Sequence, residues 1–127
     1  MKINDPQIVS SVTAAFNAYE QALITNDVRA LDRLFWQGSA VVRYGTTENL
    51  YGPDAIASFR RTRSSEGLNR RLTRTVVTTF GDEFATVWSE FVREGKEAIG
   101  RQAQVWVQFP EGWRVVAAHV SNMENLD

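Results

Sequence analysis

Residues 99–121, IGRQAQVWVQFPEGWRVVAAHVS, read as two β-strands joined by a tight turn at Pro110, Glu111 and Gly112. Both arms are rich in Val and Trp, and Pro and Gly supply the reversal expected between strands. Into this apolar hairpin the sequence sets Arg101, Gln102, Gln104 and His119, polar groups that are costly to bury without partners. Gln102, Gln104 and Trp106 alternate on one face and Arg101, Ala103, Val105 and Val107 on the other, and periodicity alone does not choose which set faces the core.

Working outward, residues 72–80 and 84–93 are β-rich in the same way. With 98–109 and 113–122 they predict an antiparallel meander of long strands, separated by turns at Gly81-Asp82, Gly95-Lys96 and Pro110-Glu-Gly. The first half of the chain has a different period. Asp5 and Pro6 open a helix as N-cap and first-turn proline, and Ile8, Val12, Ala15, Phe16, Tyr19, Leu23 and Ile24 form its apolar stripe to about residue 25. Asp27 caps a short second helix, 28–35. A short strand at 40–44 puts Val41, Arg43 and Gly45 on one face; a second extended piece follows at 49–52. A third helix runs from Pro53 to about residue 63 with Ile56 and Phe59 turned inward, and 64–69 is the only loop of any length. The chain closes on a short acidic tail, 122–127.

Composition bounds the function. A chain of 127 residues, 43% hydrophobic, predicts one domain spanning residues 1–127. The net charge of -1 lacks the positive excess of a phosphate-backbone binder, and the basic charge is almost all Arg, which suits carboxylate recognition. There is no Cys and a single His, which removes disulfides, thiol nucleophiles and thiolate metal sites and leaves no basis for a histidine-ligated zinc. No run of about 18 apolar residues occurs, so no membrane association and a cytoplasmic location are expected.

Helices first and long strands after make an α+β fold, with three N-terminal helices packed on a strongly curved, mostly antiparallel sheet that encloses a cavity. The final VWVQFPEGWRVVAAHVS, ending in H-x-S, resembles the NTF2-like (SnoaL-like) superfamily of cone-shaped folds, and the resemblance covers nearly the whole chain. More narrowly, AYEQALITNDVRALDRLFW, VRYGTTENLYG, TVVTTFGDEFATVWSEF and GRQAQVWV resemble the AtzH-like family, which includes the HpxZ proteins of oxalurate catabolism. That resemblance implies a decarboxylating amidohydrolase acting on N-carboxylated ureas of the 1,3-dicarboxyurea type, with no metal or organic cofactor. It maps an active-site tyrosine and arginine onto Tyr19 and Arg43.

Each candidate residue has a plain structural role beside the functional one. Arg43 can clamp a substrate carboxylate with its planar fork, or pair with a buried acid such as Glu20 or Glu90. Tyr19 can be a core tyrosine or a proton donor at the cavity mouth, since an ordinary phenol with a pKa of about 10 is protonated at neutral pH. His119 is the one side chain that titrates near neutrality, although a lone His between Ala118 and Val120 is commonly a core residue. Gln102 and Gln104 can read a planar ureide through neutral hydrogen bonds. Arg60, Arg61, Arg63, Arg70, Arg71 and Arg74 are expected mostly to be solvated; Arg74, sharing parity with Leu72 and Val76, is the one expected near the pocket as a second carboxylate ligand. The cluster lacks the interleaved aromatics of a nucleic-acid platform, apart from Phe59. The expected site is therefore Tyr19 and Arg43 as catalytic residues, with Arg74, Gln102, Gln104 and His119 binding a small carboxylated ureide. A non-catalytic ureide-binding or accessory module is the first alternative; a proton-shuttling isomerase or dehydratase, using Glu20 or Glu90 as base, is a second. Valines on both parities of the hairpin arms predict a homodimer through the convex side of the sheet.

Overall fold

A computed structural model describes residues 1–124. Of the expected acidic tail, Asn122 and Met123 extend the last strand, and residues 125–127 lie outside the described part. Helix α1 spans Pro6–Ile24. The Asp5 carboxylate accepts the Gln7 N–H at 3.0 Å, and Pro6 occupies the first turn, where its missing N–H costs nothing. Its stripe buries Val12, Phe16, Tyr19 and Leu23 at steps of three and four residues, the spacing that keeps one face inward. Asn26, at φ 52°, breaks the helix, and Asp27 caps α2, Val28–Leu34, through the Ala30 N–H at 3.1 Å. Helix α2 stops one residue earlier than the sequence predicts. Phe35 turns extended and bridges Val115, so that Trp36 N–H reaches the Val115 carbonyl at 2.9 Å.

The strands are β1 (Val42–Tyr44), β2 (Asn49–Tyr51), β3 (Arg71–Phe80), β4 (Phe84–Val92), β5 (Ile99–Phe109) and β6 (Gly112–Met123), with α3 (Pro53–Thr62) between β2 and β3. They form one sheet in the order β2-β1-β6-β5-β4-β3. The four long strands make the antiparallel meander expected of them, while β1 lies parallel to β6. Strand β1 starts at Val42 because residues 38–40 are spent in the turn that brings the chain back from β6. Gly52, at φ 86°, makes the sharp entry into α3, a backbone conformation that side chains disfavour.

The sheet curves around α1, and the inner face holds the core. Trp106, Phe16, Phe35, Leu31, Ile56, Val12, Val41, Val87 and Val115 are essentially sealed from solvent. Each large side chain so buried contributes about 1.5–3 kcal/mol relative to exposure. Trp113 Nε1 donates to Ser11 Oγ at 2.7 Å and pins β6 to the first helix. The outer face has no helix over it and leaves Tyr51, Val76, Phe84, Trp88 and Met123 exposed. Among the described residues, no helix is long and apolar enough to cross a membrane.

Two β-bulges decide which side chains face inward. On β6 the register against β5 steps from Ala117 opposite Val105 to Val115 opposite Trp106, which leaves Val116 as an extra residue. On β3 it steps from Leu72 opposite Phe91 to Arg74 opposite Glu90, leaving Thr73 extra. Side chains alternate with period two, so each extra residue reverses the parity of everything beyond it.

Candidate functional site

One row of the inner face sets two long polar side chains, Gln104 and Arg43, among apolar ones. Val77, Val87, Gln104, Ala118, Arg43 and Leu50 stand opposite one another across six strands. Ala118 is the small residue between Gln104 and Arg43, and two strand spacings separate those long side chains by about 10 Å. Arg43, only 8% exposed, gives Nη1 to Glu48 Oε1 at 3.0 Å. Its guanidinium carbon lies 5.2 Å from the centre of the Phe59 ring. This salt bridge answers the sequence alternatives with a different acid, since neither Glu20 nor Glu90 is the partner. Glu48 folds back over Gly45, where a Cβ would stand 1.7 Å from Oε1, and the Thr47 hydroxyl and N–H hold its other oxygen at 2.6 and 3.2 Å. Partial burial pushes the Glu48 carboxyl up, but the bonds from Thr47 and Arg43, with the arginine's charge, outweigh it and hold the group below its ordinary range.

Helix α3 and its C-cap add two more arginines, at positions expected to be solvated. Arg60, four residues after Ile56, shares the buried side of the helix, and Arg63 is the extended, half-buried C-cap residue that follows it. Arg60 is 2% exposed, stacks 4.2 Å over Phe35 and donates Nη1 to Asp32 Oδ1 at 3.1 Å. Its Nη2 is sealed and unpartnered. Arg63 lies 5.6 Å over Phe59, and its Nε and Nη2 are likewise sealed without an acceptor. Burial, then the positive charge of Arg43, lowers the Arg63 pKa from its usual value; burial does the same at Arg60, where the nearby Tyr19 phenol and Asp32 act against it. Both remain cations at neutral pH, because arginine does not deprotonate in proteins.

Tyr19 sits on α1 between Phe35 and the edge of Trp106, at ring-centre distances of 6.0 and 6.4 Å. The residue is 3% exposed, and its hydroxyl makes no hydrogen bond among the described residues. The glutamines complete the lining. Arg70 forks onto both oxygens of Glu20 and also donates Nη2 to Gln102 Oε1 at 3.1 Å. Trp106 Nε1 donates to Gln104 Oε1 at 3.0 Å. With each amide oxygen fixed by a donor, the nitrogen end of each amide is turned away from it, and Gln102 Nε2 and Gln104 Nε2 are both buried without a partner. The inner face therefore presents donors and consumes its acceptors.

Of the residues expected from sequence, Tyr19, Arg43, Gln102 and Gln104 are all on this inner side. Arg74 and His119 are not. The extra Val116 turns Ala118 inward and His119 outward, where its ring meets the edge of Tyr44 at 5.7 Å. The extra Thr73 likewise sends Arg74 outward, although Leu72, two positions earlier, packs against the core. Both line a trough of ≈ 520 Å³ on the outer face with Trp88, Glu90 and Arg101. That trough is mostly apolar and belongs to the bare side of the sheet, and none of the inner donors except Gln102 borders it. The bases considered for an isomerase are also accounted for: Glu20 is held by Arg70, and Glu90 stands on the outer face opposite Arg74 and Arg101. Glu48 and Asp32 were not singled out from sequence, and no local pattern marks them. For Arg60 the helical spacing from Ile56 is a signal, whereas Arg63, beyond the last helical residue, has none.

Comparison with known proteins agrees with this architecture. A crystal structure of a protein of unknown function from the DUF3225 family, from Pectobacterium atrosepticum, is 53% identical, with a TM-score of 0.94 over 96% of this chain and 95% of that one. A cystatin-like fold protein from Burkholderia xenovorans is 46% identical, with a TM-score of 0.94 over 98% of both chains. An NTF2-like superfamily protein from Salmonella enterica shares the fold at 20% identity, with a TM-score of 0.79 over 96% and 95% of the two chains. No functionally curated protein matches the chain. The AtzH-like family model matches residues 1–126, and the chain belongs to the AtzH-like family within the NTF2-like superfamily.

Proposed function

We propose that the protein is a small-molecule enzyme of ureide or s-triazine nitrogen catabolism, a decarboxylating amidohydrolase acting on N-carboxylated ureas such as 1,3-dicarboxyurea. The observation that carries this reading is Tyr19, a buried residue whose hydroxyl makes no hydrogen bond among the described residues and which lies close enough to Arg60 and Arg63 for its charge state to matter to both. A carbamate loses carbon dioxide when its N–C bond breaks, the electron pair stays on nitrogen and nitrogen takes a proton. Tyr19 Oη supplies that proton, the adjacent guanidinium groups stabilise the phenolate left behind, and solvent restores it. One proton is consumed for each carbon dioxide released. Arg43, held by Glu48, orients a substrate carboxylate in the site.

The test is turnover of 1,3-dicarboxyurea followed by carbon dioxide release. Tyr19→Phe removes one oxygen atom and is expected to lower kcat about 100-fold with KM little changed. Full turnover by both Tyr19→Phe and Arg43→Ala would sink the assignment.

A second reading has its own observation. Glu20, Asp32 and Glu48 are each bound to an arginine, so no carboxylate of the inner site is left free to act as a base. That arrangement suits a module that binds a ureide, or supports oxalurate catabolism, without turning it over. Binding without product separates the two. Degradation of a small ureide is chemistry of the cytoplasm, and the reading carries that location with it. The bare apolar outer face supports a homodimer, with a light-scattering mass twice that of the chain at micromolar concentration.

A further inference from the structure

We propose that Arg63, with Arg60 beside it, is the ligand of a substrate carboxylate, and that the ligand is a small, acceptor-rich anion whose carbonyl is read by Gln102 and Gln104. This deepens the proposed function by naming residues and a ligand class for the same inner face, and it rests on that face being the substrate site.

The first argument is charge. Arg43 and Arg63 both stack on Phe59, Arg60 lies on the adjoining helix turn, and two carboxylates answer the three cations, Glu48 on Arg43 and Asp32 on Arg60. The Arg63 side chain makes no ion pair and no hydrogen bond among the described residues, although two of its nitrogens are sealed from water. A desolvated cation with no counter-ion is unfavourable, and one bound anion relieves it.

The second argument is independent of charge. Five buried donor nitrogens in this interior lack acceptors: Arg60 Nη2, Arg63 Nε and Nη2, Gln102 Nε2 and Gln104 Nε2. Each unsatisfied buried group costs about 1–3 kcal/mol. The glutamines cannot relieve the cost by flipping, because Arg70 and Trp106 hold their oxygens. An occupant that fits supplies acceptors and needs few donors, which describes a carboxylate joined to a carbonyl. A neutral amine or sugar does not fit. Arg43 and Arg60 each have one terminal nitrogen taken by a carboxylate, Glu48 and Asp32, which leaves Arg63 the least occupied guanidinium of the cluster.

Titration calorimetry with malonate, acetate and urea tests this without any need for turnover. Wild-type protein is expected to bind malonate more tightly than acetate and to ignore urea. Arg63→Gln should weaken malonate at least tenfold, while Arg61→Gln, exposed on the same helix, should stay within twofold. Arg63→Lys, which keeps the charge but loses the fork, should fall between. Without ligand, Arg63→Gln should melt at the same temperature as wild type or higher, because a stranded charge is removed; a merely structural Arg63 would lower it. Malonate binding that is absent in wild type, or unchanged in Arg63→Gln, overturns the inference. Tyr19→Phe should bind malonate as wild type does. If malonate binding depends on Arg63 while dicarboxyurea is not turned over, the carboxylate clamp stands and the enzymatic reading falls.

Discussion

The two faces of the sheet carry the same residue types and put them to opposite use. On the inner side Arg43, Arg60 and Arg70 are buried, and each has one carboxylate, Glu48, Asp32 and Glu20 respectively. On the outer side Arg74, Glu90 and Arg101 stand in register across three strands, with both arginines open to water, beside exposed Val76 and Trp88. Water screens the outer row, so its charges set little beyond solubility and register with a partner. Inside, a charge without a partner is expensive, and the arrangement of pairs and gaps becomes specific for what fills them. Position relative to two bulges, and not residue type, separates an inward group from a surface group on β3 and β6.

The contrast is broken most severely by stranding an inner charge. Arg70→Met leaves the Glu20 carboxylate, 12% exposed at its side chain, without its fork and frees the Gln102 oxygen. Urea unfolding should show a loss of about 3–5 kcal/mol, and Glu20→Met added to it should recover most of that. Arg74→Met on the outer face should cost within about 0.5 kcal/mol. Equal losses from the two substitutions would mean that the faces do not differ as described.

Much of this was legible in the sequence where the period was unbroken. The α1 stripe, with Tyr19 in it, follows helical spacing to its end, and β5 carries Gln102, Gln104 and Trp106 inward without interruption. The resemblance carried by the motifs around Tyr19 and Arg43 agrees with the family the chain belongs to. His119 and Arg74 stand on the outer face for one physical reason. Parity with Leu72 points Arg74 toward the pocket and residue type alone proposes His119, and on each strand a bulge, at Thr73 or Val116, turns the side chain outward. A bulge is set by strand twist and curvature over the whole sheet, and neither Thr73 nor Val116 announces it. Arg60 and Arg63 were lost differently. They stand in a run of arginines whose composition suggests a solvated helix end, while the step from Ile56 puts Arg60 on the buried face and the extended C-cap brings Arg63 over Phe59.

A smaller effect sharpens how the inner pairs are held. Glu48 has its carboxyl held below the ordinary range by Thr47 and Arg43 against the opposing push of burial. A depressed carboxyl contributes stability above its unfolded pKa of about 4.3 and loses it as pH falls through the lower folded value. Glu48→Gln lacks this contribution at every pH. The melting temperatures of wild type and variant should therefore differ by about 4 °C at pH 7, what one ordinary hydrogen bond contributes in a domain of this length. The gap should close below about pH 4. A gap unchanged at pH 3 would show that Glu48 acts through packing over Gly45 instead of through its charge.

The smallest expected effect is the most pointed, because it concerns the one residue that composition alone singles out for catalysis. His119 is exposed, edge-on to Tyr44, and separated from Tyr19 by the thickness of the sheet. His119→Ala and Arg74→Ala should each leave kcat/KM for a carboxylated ureide within about twofold, since neither touches the inner donors. The pH profile of turnover should likewise keep its shape in His119→Ala. What these variants should alter is self-association, read by light scattering, because the outer trough they line is the face left bare by the helices. A tenfold loss of turnover in a His119→Ala protein whose light-scattering mass is unchanged would place the chemistry on the outer face, and the division of labour between the faces would have to be reversed.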